Sequence, residues 1–436
     1  MITQALTKLV WMLVAVAGAL ASAGSSAESL NEAWAKALAR DAGLAAVRLD
    51  TESARANLQA AQAARLPQLE VAASYTRMAD APALSVQTPD FSFVSPRIFS
   101  DDDFVMRHAQ LSLPLYAGGS LSAGIRAARA GRGAAEADER RAQAELKLAV
   151  AQSYLGVLRA ERGLGAASAS VAALDAHVQD VSAMVEVEAR PNTDLLASRV
   201  AASAAAQQLA RARLALAVAL GHYNRRLGEP LDRVVTLQPV PPAVLEVAGL
   251  GLDELQQRAV SQRGELAGLA ARADALSAAA RAESGKMLPT IAVTASYQQL
   301  ENTVLDREEF SMVGVGFRWT LFDGGQARHR AAALRRSGES VRERRNEFES
   351  LVRLEVQQAM LAIDAADARV AMTRDSIAQA NENLRITREL YAESLVTNTS
   401  VLEAVALQTA AEGHAADAVY DAAIARLSLL TSIGEL

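Results

Sequence analysis

The residues able to do chemistry are few and dispersed. The 436-residue chain has five histidines (His108, His177, His222, His329, His414), none paired in an HExxH spacing that would bring two imidazoles to one metal. It has no cysteine, so thiolate zinc sites and disulfides are excluded. Each histidine reads as a solvated helix-face or loop residue. The glycine-rich stretches AGRGAAEA (Ala130–Ala137) and GLGAASAS (Gly163–Ser170) do not follow strands and lack Gly-Lys-Ser/Thr, so neither is a phosphate loop. A secreted hydrolase would need a clustered nucleophile or acid–base pair, and no such cluster is visible. The reading is a non-enzyme with no cofactor and no metal.

The spacing that does recur is of another kind. WTLFDGGQARHRAA (Trp319–Ala332) turns from alternating apolar residues into an Ala- and Arg-rich helical pattern at a glycine pair, and LPLYAGGSLSAGIRAA (Leu113–Ala128) does the same. LPQLEVAASY from Leu66 matches LPTIAVTASY from Leu288, and LNEAWAKALARDAGLAA from Leu30 matches LDELQQRAVSQRGELAG from Leu252. LYAGG and LFDGG, TDLLAS and TSVLEA, and RLGE and SIGE all sit at one offset of 206. Repeats of this kind define the architecture before any single element does. Two halves follow, residues 28–228 and 252–436, each reading helix, strand, strand, helix, helix. The proline-containing linker 229–251 joins them.

Only 4% of residues are aromatic, while Leu, Ala, Glu, Arg and Gln dominate, which favours long helices over a mixed core. A net charge of −6 gives no reason to expect a nucleic-acid partner. The N-terminus carries Lys8, an apolar run and small-x-small sites at Ala21–Ala23 and Ser25–Ala27, which is the pattern of a signal peptide spanning 1–23, with cleavage as late as 27 also compatible. Without cysteine no lipid anchor is expected. No later segment has the roughly 18 apolar residues of a membrane helix, so any membrane contact must come from strands.

Long helices are expected at about 120–190 and 326–396. In the second, Val356, Ile363, Val370, Ile377, Leu384 and Tyr391 repeat every seven residues beside a small seam of Val352, Ala359, Ala366, Thr373, Ala380 and Thr387. That is a coiled-coil stripe whose helices approach closely. From each glycine pair to the Thr193 or Thr399 turn is roughly 110 Å of helix, and each flanking helix (Ser29–Arg65, Thr193–Leu227, Leu252–Ser284, Thr399–Ile433) is near half that. Strands are expected at about 67–77, 104–116, 289–299 and 310–322. Val313, Val315, Phe317, Trp319 and Leu321 share one face; Leu111, Leu113 and Leu115 do so in the first half. Arg107 falls on the same parity, tolerable near a rim where it can snorkel. Alternation alone fits a soluble sandwich as well as a membrane barrel. Four strands, however, cannot close a barrel by themselves, and open edges are not viable in lipid.

These features together, in this order and duplicated, resemble the TolC-like outer-membrane efflux protein family over about Leu30–Leu436. The marks are the LP-x-(L/I) approach to the strands, the L-(Y/F)-x-GG exit into a long helix, and the TDLL and VLEA segments. The resemblance implies a mainly helical fold with a membrane β part: a homotrimer sharing a twelve-strand barrel in the outer membrane and a periplasmic α-helical barrel. It also implies a passive exit duct for an inner-membrane pump and its periplasmic adaptor. On this reading Gly118, Gly119, Gly324 and Gly325 are strand-to-helix hinges.

The family's helical tips run roughly Tyr-x-x-Gly, then Asp-Val-Leu-Asp-Ala, with acids ringing the closed entrance. Here Tyr391 and Glu403 match in type, Ser394 replaces the glycine, Ser400 the first acid, and Val396 an arginine of some members. In the first half Asp194 matches an acid and Glu188 replaces the glycine. Asp194, Glu403, Tyr391 and Ser400 are therefore the candidate gate residues. Both acids also read as helix-start residues favoured by the dipole. The competing architecture is a soluble periplasmic coiled-coil adaptor or scaffold, which accounts for the heptads but not for the strands.

Overall fold

A computed structural model describes residues 27–79, 83–97, 103–240, 250–300 and 307–436. The expected signal peptide lies outside the described residues. The helices are α1 (Leu30–Arg40), α2 (Ala42–Ala63), α3 (Ser120–Glu186), α4 (Asn192–Leu227), α5 (Leu252–Gln262), α6 (Gly264–Gly285), α7 (Gln326–Ala392) and α8 (Asn398–Ile433). The strands are β1 (Gln68–Arg77), β2 (Ala83–Thr88), β3 (Phe91–Arg97), β4 (Asp103–Ala117), β5 (Thr290–Leu300) and β6 (Glu309–Arg318). Helix lengths agree between the halves: 11 and 11 for α1 and α5, 22 and 22 for α2 and α6, 67 and 67 for α3 and α7, 36 and 36 for α4 and α8.

The single helix expected over Ser29–Arg65 is in fact two. Ser29 and Glu32 form a capping box that starts α1. Asp41 then leaves helical geometry, and its Oδ1 accepts the Leu44 N–H at 2.7 Å, restarting the chain as α2. An equivalent break at Arg263 separates α5 from α6. The heptad stripe of α7 is where its burial lies: Val352, Val356, Ala366, Leu384 and Tyr391 are buried, and the flanking positions are mostly exposed.

Two compact units are distinguished. The first comprises residues up to Val47, Glu139–Gly264 and Phe348–Leu436. Its core packs Leu30, Ala37, Val150, Tyr154, Tyr223, Leu227 and Leu427 together, with the two tyrosine rings edge to face at 5.9 Å. The chain start is tied in: Glu28 bridges in parallel to Leu237, donating its N–H to Thr236 O at 2.8 Å, and its buried carboxylate meets Lys36 and Arg233 at 3.0 and 2.7 Å. Burial alone would push the Glu28 carboxyl up, but the two cations outweigh it and hold it below the usual range.

The second unit comprises Arg48–Asp138 and Glu265–Glu347. It holds a four-stranded antiparallel sheet in the order β1-β4-β5-β6, so β1 and β6 are its edges. A separate hairpin pairs β2 with β3 across Pro89-Asp90, outside the four strands expected from sequence. The strand alternation holds with two corrections. A bulge at Leu115 beside Pro114 breaks the Leu111–Leu113–Leu115 series and pairs Tyr116 with Ile291, as expected where a residue without an N–H interrupts a ladder. And β6 ends at Arg318, so Trp319 and Leu321 lie past the strand; both are exposed, and Trp319 donates its indole N–H to Met287 O at 3.0 Å.

Candidate functional site

Where α3 gives way to α4 and α7 to α8, the chain turns through the same closing motif twice. The Ala189 N–H reaches Met184 O and the Glu188 N–H reaches Val185 O; likewise Leu395 N–H reaches Leu390 O and Ser394 N–H reaches Tyr391 O. This double bond pattern needs a left-handed residue at its centre, normally glycine. Glu188 (φ 57°) and Ser394 (φ 64°) occupy that position here. The C-terminal ends of α4 and α8 close in the same way but use Gly228 and Gly434.

Beside these turns lies a buried polar cluster. Asn398, at the start of α8, donates Nδ2–H to the Asp194 carbonyl at 3.0 Å, and its Oδ1 accepts from the Ser198 hydroxyl at 3.1 Å. The same oxygen meets His177 Nε2 at 2.7 Å. An amide oxygen only accepts, so Nε2 carries the imidazole proton. His177 is 5% exposed, which corrects the expectation of a solvated histidine. Its ring packs 5.3 Å from Tyr391, and the Arg190 guanidinium lies 4.4 Å over the other ring while donating to Tyr391 O at 2.9 Å. The Tyr391 hydroxyl is buried without a hydrogen-bond partner among the described residues, and that burial pushes its pKa up. An apolar ring of Val181, Leu195 and Val401 surrounds the tyrosine.

Of the four expected gate residues, Tyr391 is at the centre of the cluster and Asp194 joins it through its backbone carbonyl. Ser400 is half-buried, and its hydroxyl meets that of Thr397 at 3.1 Å. Glu403 is exposed on α8 and makes no hydrogen bond or ion pair among the described residues. The sequence reading missed His177, Arg190, Ser198 and Asn398. For Arg190 a signal existed: it stands 206 positions before Val396, so the arginine absent from one tip is present at the equivalent place of the other.

In the second unit the four expected hinges all adopt left-handed backbone: Gly118 (φ 60°), Gly119 (φ 77°), Gly324 (φ 69°) and Gly325 (φ 81°). Gly118 also faces Gly285 so closely that an added Cβ would sit 2.1 Å from Gly285 O. Asp323 caps the second transition, accepting from Gly325 and Ala327 N–H at 2.8 Å each. The sheet's paired rows place Val313, Val315 and Phe317 on one face with Leu69, Leu111, Val293 and Ile291.

Sequence comparison decides the family: its pattern matches residues 34–225 and 255–435. The chain belongs to the outer membrane efflux protein family. Among curated members it is 30% identical over 162 residues to the outer membrane efflux protein BepC of Brucella suis biovar 1 (strain 1330), which is 36% of this chain and 35% of BepC. The match thus spans about a third of that relative's length. Among solved structures, CusC, a protein studied for transmembrane channel formation, superposes with a TM-score of 0.79 at 18% identity, covering 93% of this chain and 92% of CusC. The outer membrane protein VceC of Vibrio cholerae gives 0.77 at 16% identity, covering 93% and 96%. At such identities these likenesses establish the shared efflux-protein fold.

Proposed function

We propose that this efflux-family protein is the outer-membrane channel of a tripartite efflux or type I secretion system. It would be a passive, non-enzymatic exit duct fed by an inner-membrane pump through a periplasmic adaptor. The observation that carries this reading is the four-stranded sheet with one exposed apolar face and two edge strands. Such a sheet is stable in lipid only if its edges are paired, and three copies would close twelve strands into a barrel with the apolar face outward. Along β6, Phe317 to Glu309 covers about 27 Å at ~3.4 Å per residue, close to the apolar band of an outer-membrane barrel before strand tilt is allowed for. Tyr75 and Tyr297 toward one end, and Tyr116 and Trp319 toward the other, supply interfacial aromatics. The apolar face also disfavours the soluble adaptor reading, since a water-soluble scaffold would have to cover it.

The helical tips would then form the periplasmic entrance. The Asn398 cluster ties α8 to α3 and α4, so it works as a latch holding the tip shut. Asp194 and Glu403, repeated threefold, would set its cation selectivity. The test is extraction followed by planar-bilayer recording. A channel partitions with outer-membrane lipid in detergent and conducts ions. An adaptor is released by salt or osmotic shock and conducts nothing.

A further inference from the structure

In the second unit the sheet runs on into helices lying side by side in the same order. Arg65, just past α2, reaches Ser122 of α3 at 2.9 Å, and Thr51 of α2 donates to Ala135 O at 3.4 Å. On the other side of α3, Gly133 and Ala137 meet Ala271 and Gly268 of α6. Gly338 of α7 packs in turn on Ala273, Leu276 and Ser277 of α6. The order α2-α3-α6-α7 thus continues β1-β4-β5-β6. Charge is sorted along these helices. The first turns of α3, Ser120–Gly131, hold Arg126 and Arg129 and no acid. Those of α7, Gln326–Arg336, hold Arg328, Arg330, Arg335 and Arg336 and no acid. Farther from the sheet the excess vanishes: residues 132–145 carry three arginines against four acids, and so do residues 339–349. All six arginines are exposed. Apart from Arg336, held by Glu339, none of them meets a carboxylate among the described residues. Asp323, the acid just before α7, is occupied in capping that helix.

The exposed apolar residues Trp319, Leu321 and Phe322 come immediately before this band, which lies within roughly 15 Å of the helix starts at 1.5 Å per residue. Unpaired cations directly beside an apolar surface match the phosphate layer at the edge of a bilayer. We propose that these arginines form a belt that binds anionic phospholipid headgroups of the periplasmic leaflet. This rests on the membrane-sheet reading above. Two features aim the belt at lipid. Both α3 and α7 begin at the sheet, and helical side chains lean toward the helix N-terminus, so the arginines tilt back toward the bilayer. On α7, Ala327 and Ala331 are buried on the stripe that Gly338 continues against α6. Arg328 and Arg330 stand roughly 80° to either side of that stripe at the helical period. In a wall of side-by-side helices those flanks are its two faces, and only one is the lumen, so every copy turns one of the pair outward. Guanidinium binds phosphate oxygens in pairs. Phosphatidylglycerol offers them without the ammonium that cancels the charge of phosphatidylethanolamine.

The experiment is native mass spectrometry of the detergent-extracted protein in micelles doped with equal phosphatidylglycerol and phosphatidylethanolamine, counting the lipids each particle retains. The parent is expected to keep phosphatidylglycerol about fivefold or more over phosphatidylethanolamine, with the preference falling as salt rises. Arg126→Gln/Arg129→Gln/Arg328→Gln/Arg330→Gln should bring the ratio close to one. Arg211→Gln/Arg213→Gln, which removes two exposed arginines from α4 in the first unit, should leave it as in the parent. If the quadruple variant does not assemble, Arg328→Gln/Arg330→Gln is read in the same way, with about half the loss. A parent without preference, or a quadruple variant that keeps it, would overturn the belt. So would a quadruple variant that changes only the anion permeability of the channel, because its arginines would then line the lumen. Equal retention of both lipids leaves the membrane reading standing without the belt, whereas a protein that holds neither lipid and stays out of bilayers ends both.

Discussion

Glu188 and Ser394 hold left-handed backbone that non-glycine residues adopt at a cost of about 1–2 kcal/mol. Both are exposed, and what their side chains contribute must be small beside that strain. Glu188→Gly and Ser394→Gly should each stabilise the protein by about 1 kcal/mol, despite the extra freedom glycine gives the unfolded chain, and thermal denaturation in detergent would register it. Asn398→Ala acts in the opposite direction. It strands the buried His177 imidazole, while the Ser198 hydroxyl keeps the Asp194 carbonyl at 2.9 Å; the loss is about 1–3 kcal/mol and the tip is untied, so stability should fall while conductance rises. Asp194→Ala/Glu403→Ala should leave the fold intact, raise conductance and weaken block by polyvalent cations. Motif position is what singles out the two acids in the sequence, Asp194 half-buried and Glu403 exposed. The buried cluster was not legible there, because His177, Ser198 and Asn398 come from three helices, Asn398 lies 200 residues from Ser198, and no local spacing links them.

At the scale of elements, periodicity told most of the story. The seven-residue repeat of α7 coincides with its buried stripe, and the glycine pairs mark the strand-to-helix transitions. Boundaries were misread where single residues intervene: Asp41 and Arg263 split helices that pattern alone would continue, and Pro114 forces a bulge. The β2–β3 hairpin was overlooked although its Pro89-Asp90 turn is a known signal, because the surrounding proline and acidic residues read as loop. The tightest joint between elements is Gly118 against Gly285. A methyl at either position meets backbone rather than a movable side chain, with a Gly285 Cβ lying 2.6 Å from Gly118 O. Gly285→Ala should therefore cost at least about 2 kcal/mol and lower the yield of folded protein, whereas Gly124→Ala, with open space around it, should cost little or nothing.

For the whole molecule, pH enters through the anchored chain start and the tyrosine pair beneath it. Glu28 has a folded pKa below its ordinary 4.5, so its contribution is present above that pH and is lost as pH falls through the lowered value. Tyr154 is pushed up by burial to about 12 from 10.0, so its contribution is complete below pH 10 and disappears as pH rises toward 12. Unfolding midpoints should fall at both extremes, and Glu28→Gln should blunt the acid limb alone. The proposed assembly rests, in the sequence, on counting strands, and the open sheet order gives that count a geometry. The most direct measurement is native mass spectrometry of the protein extracted in mild detergent. Three copies of the chain in one particle are expected. A stable single chain, folded and free of lipid or detergent, would contradict the shared barrel.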